Sequence, residues 1–133
     1  MLLDALTIET GGTTVNDTDG SLSYSGSGWY HATGRGKGDV GDDVHATTTN
    51  GDFFSATFMG TGIAYISEKS ADQGKVDLYL DGIFQTTVDT AATAWNVPQQ
   101  VVYSINGLAL GSHTLKAVKR SGSWMLLDAL TTW

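Results

Sequence analysis

The chain has 133 residues, of which 41% are hydrophobic, and it contains 17 glycines, one proline and no cysteine. Its formal net charge of -7 repels phosphate backbones and anionic lipid surfaces, so neither nucleic acid nor a membrane is an expected partner. The lack of cysteine excludes disulfides, thiolate zinc sites and iron–sulfur clusters. The length suits one domain with a two-layer core.

Short segments with strand composition follow one another along the chain, and no segment has a sustained helical period. In chain order, the predicted strands are residues 22–24, 44–49, 52–60, 62–67, 75–82, 83–89, 100–106, 112–120 and 124–132. They recur about every ten residues with turn signals between them. This spacing predicts an all-β fold, a two-sheet antiparallel β-sandwich.

Hydrophobic and polar residues alternate within the clearest of these strands, so one face of each can enter a core. The residues predicted to face the core are Phe54, Ala56, Phe58, Val76, Leu78, Leu80, Leu115 and Ala117. Asp81-Gly82 separates two such runs and has the composition of a type I′ hairpin turn. A hairpin of residues 75–89 is therefore expected.

Two segments lack a strand pattern and are long for hairpin loops, residues 25–43 and residues 89–100. Each contains a tryptophan. Long loops on a rigid β scaffold are where binding groups usually lie. We therefore expect a binding site to draw on these two segments.

The heptapeptide MLLDALT occurs twice, at residues 1–7 and again at residues 125–131. One interpretation is a cut through a tandem array, in which residues 1–8 are the last strand of a preceding copy and residues 9–133 are the β-sandwich domain. A second is a donor strand that pairs with a neighbouring molecule and builds swapped dimers or fibres. An engineered terminus is the third.

Four stretches taken together resemble a known family. They are NDTDGSLSYSGSGW (16–29), DDVHATTTNGDFFSATFMGTGIAYI (42–66), VDLYLDGIFQTTVD (76–89) and GSHTLKAVKRSGSWMLLDAL (111–130). In this order they are similar to the galactose-binding-like jelly-roll domains attached to secreted bacterial glycoside hydrolases and surface proteins. The resemblance implies a jelly-roll β-sandwich, loops at one end that bind a glycan, and in many members a structural Ca²⁺.

Aromatic side chains are the first requirement for sugar binding, because a flat ring covers the apolar face of a pyranose. Trp95 lies in a Thr/Ala-rich loop without alternation, which favours an exposed binding residue; a loop anchor packed on the core is the alternative. Trp29 opens WYH in a Gly/Ser-rich loop and is a second candidate, with packing against the sandwich as its alternative. Trp124 leads the last predicted strand and is expected in the core or at its rim.

Polar groups that hydrogen-bond to hydroxyls are the second requirement. His45 is a candidate, although it could instead hold a neighbouring carboxylate. Arg35 is an isolated positive charge in an acidic chain, and could serve as a bidentate donor or balance nearby aspartates. Glu68 and Lys69 directly follow the predicted strand 62–67, and the resemblance places the end of that strand near the loop cluster.

Calcium requires six to eight hard oxygen ligands. Asp17 and Asp19 lie in the oxygen-rich NDTDG segment, and Asp42 and Asp43 form a second acidic pair. These four are the candidate metal ligands, and an Asx-turn is the alternative interpretation of NDTDG. No cofactor is required by the sequence.

Catalysis has little support in the sequence. No G-x-S-x-G motif occurs, and the three histidines lack metal-ligand spacing. The expected function is a non-catalytic carbohydrate-binding module of a secreted or cell-surface protein, with a polysaccharide or glycan as partner. The alternative is an adhesive tandem-repeat or self-assembling fibre subunit that binds itself through the N-terminal strand.

Overall fold

A computed structural model of the chain describes residues 12–133. The N-terminal copy of MLLDALT lies outside these residues, so its three interpretations stay predictions. The twelve strands are β1 (Thr13–Asn16), β2 (Leu22–Ser25), β3 (Tyr30–Thr33), β4 (Asp43–Thr47), β5 (Phe53–Gly60), β6 (Ile63–Lys69), β7 (Lys75–Leu80), β8 (Ile83–Asp89), β9 (Val97–Ile105), β10 (Gly111–Lys119), β11 (Met125–Leu127) and β12 (Ala129–Thr132). A single 3₁₀ turn, Val40–Asp42, is the helical element of the described chain.

The strands form two layers. One is a five-stranded antiparallel sheet in the order β2-β5-β10-β7-β8. The other combines the sheets β1-β12-β6-β9 and β11-β4-β3, which are joined because β11 leads into β12 across Asp128. The Asp128 N–H donates to the Ile66 carbonyl at 3.0 Å, and this bond holds the junction against β6. The predicted antiparallel β-sandwich is confirmed.

The core lies between these layers and follows the predicted alternation. All eight residues that the sequence assigns to the core are buried there. Tyr65 of β6, Met125 and Leu127 of β11 and Leu130 of β12 close the core from the opposite layer. Tyr65 is fully buried, and its hydroxyl donates to the Leu126 carbonyl, which gives the polar end of the ring a partner.

The predicted hairpin is confirmed in its register and its turn. Leu80 pairs with Ile83, so the loop has two residues. Asp81 has φ 51 and Gly82 has φ 81, the two left-handed positions of a type I′ turn.

Two short strands were missed by the sequence pattern. The segment 25–43, expected to be loop, contains β3 and the 3₁₀ turn, and β1 lies before the first predicted strand. Each of these strands has only four residues, which is too short to display an alternation among glycine and serine neighbours. The last predicted strand, 124–132, is divided into β11 and β12.

Within residues 12–133, no helix is both long and apolar enough to cross a bilayer.

Candidate functional site

A cavity of about 220 Å³ opens on the outer face of the β3-β4-β11 sheet, on the side away from the main core. Alternation in β4 directs Val44 and Ala46 to this side, where they pack with Leu126 of β11 into a small separate apolar cluster. Two aromatic residues, Tyr30 and Trp124, line the cavity above this floor. The remaining lining residues are Ala32, Arg35, Glu68, Ser70, Asp72, Gln73 and Asn96.

A buried ion pair forms the polar side of the cavity. Arg35, from the loop after β3, contacts both Glu68 on β6 and Asp39 before the 3₁₀ turn. Its Nη1 donates to Asp39 Oδ2 at 2.5 Å and to Glu68 Oε2, while its Nη2 lies 3.4 Å from Glu68 Oε1. Asn96 Nδ2 also donates to Glu68 Oε1, at 3.1 Å. The donors of Arg35 and Asn96 are therefore fixed at the cavity wall.

The pKa values of the two carboxyl groups in this cluster, Asp39 and Glu68, are shifted in opposite directions. Burial raises the pKa of Asp39 to about 7, and the neighbouring Glu68 adds to the effect. Burial also acts to raise the pKa of Glu68, but hydrogen bonds from Arg35, Asp39 and Asn96 outweigh it, and the pKa lies below its ordinary value. Glu68 is thus held as the anion.

Gln73 provides an unused acceptor. Its side chain is buried and lines the cavity, and its Oε1 has no hydrogen-bond partner among the described residues. An unpaired buried amide oxygen costs free energy. Trp124, whose backbone forms an isolated bridge with that of Gln73, lies beside it. A stacking ring and a polar amide side chain are therefore neighbours in the lining.

The structure brings two of the six predicted ligand-binding residues into this cavity, namely Arg35 and Glu68. Trp95 is 65% exposed but lies outside the lining; its neighbour Asn96 takes that place. Lys69, the last residue of β6, is half-buried and is not part of the lining.

Trp29 and His45 lie elsewhere. Trp29 packs edge-on against Tyr24 with ring centroids 4.8 Å apart, contacts the main core, and donates through Nε1 to the Ser25 carbonyl. His45 points to the opposite side of β4 from the cavity, and its Nδ1 forms a hydrogen bond of 2.6 Å with Asp17 Oδ2.

The four predicted metal ligands fall into two groups. Asp19 and Asp42 are exposed and act in local turns: Asp19 accepts from the Ser21 backbone N–H at 2.9 Å, and Asp42 accepts from Gly36 at 2.7 Å. Asp17 and Asp43 are buried, and both carboxylates lie near His31 Nε2, at 3.7 Å and 2.8 Å. Burial and the adjacent Asp43 raise the pKa of Asp17 to about 7.

The cavity residues that the sequence did not single out for binding include Tyr30, Trp124, Asn96 and Gln73. Tyr30 is the first residue of the YHAT segment, and these four residues are too few to predict a strand. Its recognition would have required β3 to be found among the surrounding glycines.

No protein-family model matches the chain. Two curated proteins of Flavonifractor plautii are 28% identical to it: an A type blood N-acetyl-alpha-D-galactosamine deacetylase over 111 residues and an A type blood alpha-D-galactosamine galactosaminidase over 112 residues. These alignments cover 78% and 84% of this chain. The chain spans only 13% and 10% of the length of these relatives.

Solved carbohydrate-binding modules have the same fold over nearly their whole length. A family 35 module from an environmental isolate has a TM-score of 0.71 at 16% identity, with 91% of this chain and 93% of that one covered. The CBM35 from Cellvibrio japonicus Abf62 has a TM-score of 0.71 at 14% identity, with 91% of each chain covered. The CBM36-1 domain of a multidomain xylanase from the hindgut metagenome of Trinervitermes trinervoides has a TM-score of 0.58 at 20% identity, with 91% of this chain and 95% of that one covered. The chain therefore has the jelly-roll fold of these modules.

Proposed function

We propose that the chain is a non-catalytic carbohydrate-binding module whose binding site is the cavity on the β3-β4-β11 face. One observation carries the proposal: a single cavity combines the aromatic rings of Tyr30 and Trp124 with the fixed donors of Arg35 and Asn96 and the carboxylate acceptor of Glu68. Rings suit the apolar face of a sugar, and paired donors and acceptors suit its hydroxyls. Full-length similarity to solved carbohydrate-binding modules supports the same conclusion.

The chemistry of the cavity supports binding without turnover. Glycoside hydrolysis requires two carboxyl groups, one of them a proton donor with a raised pKa. Glu68 lines the cavity and has the opposite property, because its ion pair with Arg35 keeps it charged. Asp39 does have a raised pKa, of about 7, but it is buried behind Arg35 and is not part of the cavity lining. The deacetylase and galactosaminidase relatives are many times longer than the aligned segment, so the similarity does not carry their activities over to this chain.

An extracellular location follows from this proposal. Polysaccharides are encountered outside the cell, and full-length neighbours include a module of a multidomain xylanase. The proposed role is to hold a partner protein on its glycan through stacking and hydrogen bonds.

The test is a glycan array that includes α-galactosamine, N-acetyl-α-galactosamine, xylan and α-1,3-glucan. The array is probed with the wild type and with two tryptophan variants. Trp124→Ala removes a ring from the cavity and should abolish binding, whereas Trp95→Ala removes an exposed ring outside it and should leave binding intact. Near-ultraviolet circular dichroism verifies the fold of each variant. No binding to any glycan, or loss with Trp95→Ala alone, would contradict the proposal.

Structural Ca²⁺ stays a prediction. Of its four predicted ligands, Asp17 and Asp43 are together and buried, but imidazole groups occupy the space beside them. Thermal unfolding with and without added Ca²⁺ tests for such an ion.

The fibre hypothesis is a second candidate, and one observation favours it. The C-terminal copy of MLLDALT forms β11 and most of β12, and Met125–Leu130 are buried. Before Asp128, β11 pairs with β4; after Asp128, β12 lies between β6 and β1. The sequence MLLDALT therefore fits the middle of this layer. Size-exclusion chromatography decides: a monomeric full chain rules out strand donation, and an assembly that collapses when residues 1–8 are deleted supports it.

A further inference from the structure

We propose that His31, His45 and Asp17 form a binding site for a divalent transition-metal ion such as Zn²⁺, with Asp43 as a further oxygen ligand. This site is separate from the cavity and does not depend on the proposed sugar binding. Its three principal groups place one ligand atom each within 4.8 Å of one another.

Strand pairing sets the geometry of the two imidazoles. His31 on β3 and His45 on β4 are direct antiparallel partners, so their side chains project from the same face. Cβ atoms of such a pair are about 4.5–5.5 Å apart, which suits two ligands of one ion. The rings are stacked, with centroids 4.7 Å apart and an interplanar angle of 19°.

The donor atoms already converge. His45 Nδ1 lies 2.6 Å and His31 Nε2 lies 3.7 Å from the same oxygen, Asp17 Oδ2. Asp43 Oδ2 lies 2.8 Å from His31 Nε2. Ligands of tetrahedral zinc, with bonds of about 2.0–2.2 Å, are separated by about 3.3 Å. Shifts of about 1 Å would therefore replace the bridging protons by an ion.

The second carboxylate oxygen of Asp17 is an independent indication of a ligand. Asp17 is fully buried, yet its Oδ1 has no hydrogen-bond partner among the described residues. The neighbouring Asn16 Oδ1 is also buried and unpartnered. Unpaired buried oxygens cost free energy, and a bound cation satisfies them.

Supporting contacts hold the ligands in place. Asn16 Nδ2 donates to both carboxylate oxygens of Asp43, at 3.0 and 3.2 Å. Tyr24 stacks on His45 at 3.9 Å, and its hydroxyl donates to the Asp17 carbonyl at 2.5 Å. Hydrogen bonds and packing of this kind orient metal ligands and raise affinity.

The donor set selects the metal. Two imidazole nitrogens with carboxylate oxygens suit Zn²⁺, Ni²⁺ or Cu²⁺, whereas Ca²⁺ requires six to eight oxygens. The His31 side chain is 37% exposed, so an ion can approach from solvent. Ala32, Val44 and Ala46 of the same two strands line the cavity, so the ion would link β3, β4 and the residue that follows β1 directly behind it.

The test begins with protein stripped of metal by a chelator and dialysed. Thermal unfolding is then followed with Zn²⁺, with Ca²⁺ and with no metal, and Co²⁺ is added separately to record its visible d–d absorption. Zn²⁺ in excess should raise Tm by about 5 °C or more, and Co²⁺ should give the intense bands of a low-coordinate site. Ca²⁺ should leave Tm unchanged.

The variants are His31→Ala and the matched control His113→Ala. His113 is the third histidine, lies on β10, and contacts Asp81 instead. His31→Ala should lose the Zn²⁺ shift and the Co²⁺ bands, and His113→Ala should keep both. Absence of a Zn²⁺ shift in the wild type, retention of it in His31→Ala, or stabilisation by Ca²⁺ alone would each overturn the proposal. The Co²⁺ spectrum of the wild type keeps the test decisive even where a variant is unstable.

Discussion

Replacing Tyr30 by alanine should weaken glycan binding and leave the stability of the fold nearly unchanged. The residue lines the cavity but is 62% exposed, so its ring contributes little to the packed core. A tyrosine side chain presents about 150–250 Å², and a sugar covering the free face would bury about 50–75 Å² of it. At about 25 cal/mol per Å², Tyr30→Ala should weaken binding by about 1–2 kcal/mol, a factor of about 5–30 in Kd. Stability should change by less than about 0.5 kcal/mol.

The assay is isothermal titration calorimetry with the best glycan from the array, together with urea unfolding of each protein. Phe84→Ala is the matched control, because Phe84 is 52% exposed on β8 of the other layer. Its affinity should equal that of the wild type. Equal affinity of Tyr30→Ala and wild type, or equal losses in the two variants, would refute the assignment of the cavity.

Three further predictions concern the ion pair, the core and the buried acids. Arg35→Ala leaves the buried Glu68 without its cation and should lower the free energy of unfolding in urea by about 2–4 kcal/mol. An unchanged urea midpoint would contradict this prediction and would mean that water replaces the guanidinium. Phe54→Ala empties a fully buried position between the layers and should lower the free energy of unfolding by about 3–5 kcal/mol; a loss below about 1 kcal/mol would contradict the described core. Burial raises the pKa of Asp128 to about 6 and that of Asp39 to about 7, so the folded state holds more protons than the unfolded state between about pH 4 and pH 7. In chelator-containing buffer, the free energy of unfolding measured with urea should therefore fall as pH rises through this window. The Asp128→Asn variant should show a smaller fall. A free energy of unfolding that rises with pH would refute this prediction.

The fold was predictable from the sequence because its signals are local. Alternation in Phe54–Phe58 and in Val76–Leu80 assigns the core face, and Asp81-Gly82 encodes its own turn geometry. The segment around β3 gave no such signal, because four residues between glycine-rich flanks are too few to show a period.

The cavity depends on contacts between residues distant in sequence. Arg35 and Glu68 are 33 residues apart, and only the packing of β6 beside the loop after β3 brings them together. The two tryptophans show the same limit. Trp124 enters the cavity because its backbone bridges to Gln73, whereas Trp95, in a Thr/Ala-rich loop, remains outside the lining. Composition identified residue types suited to sugar binding, and topology selected among them.

The most direct test of the account is a ¹⁵N–¹H nuclear magnetic resonance titration of the chain with a glycan selected on the array. Saturable shifts should concentrate at the indole N–H of Trp124, the side-chain amides of Asn96 and Gln73, and the backbone of Tyr30. The amides of β8 should not move. Shifts centred on β8, or no saturable shift with any glycan, would contradict sugar binding in the cavity.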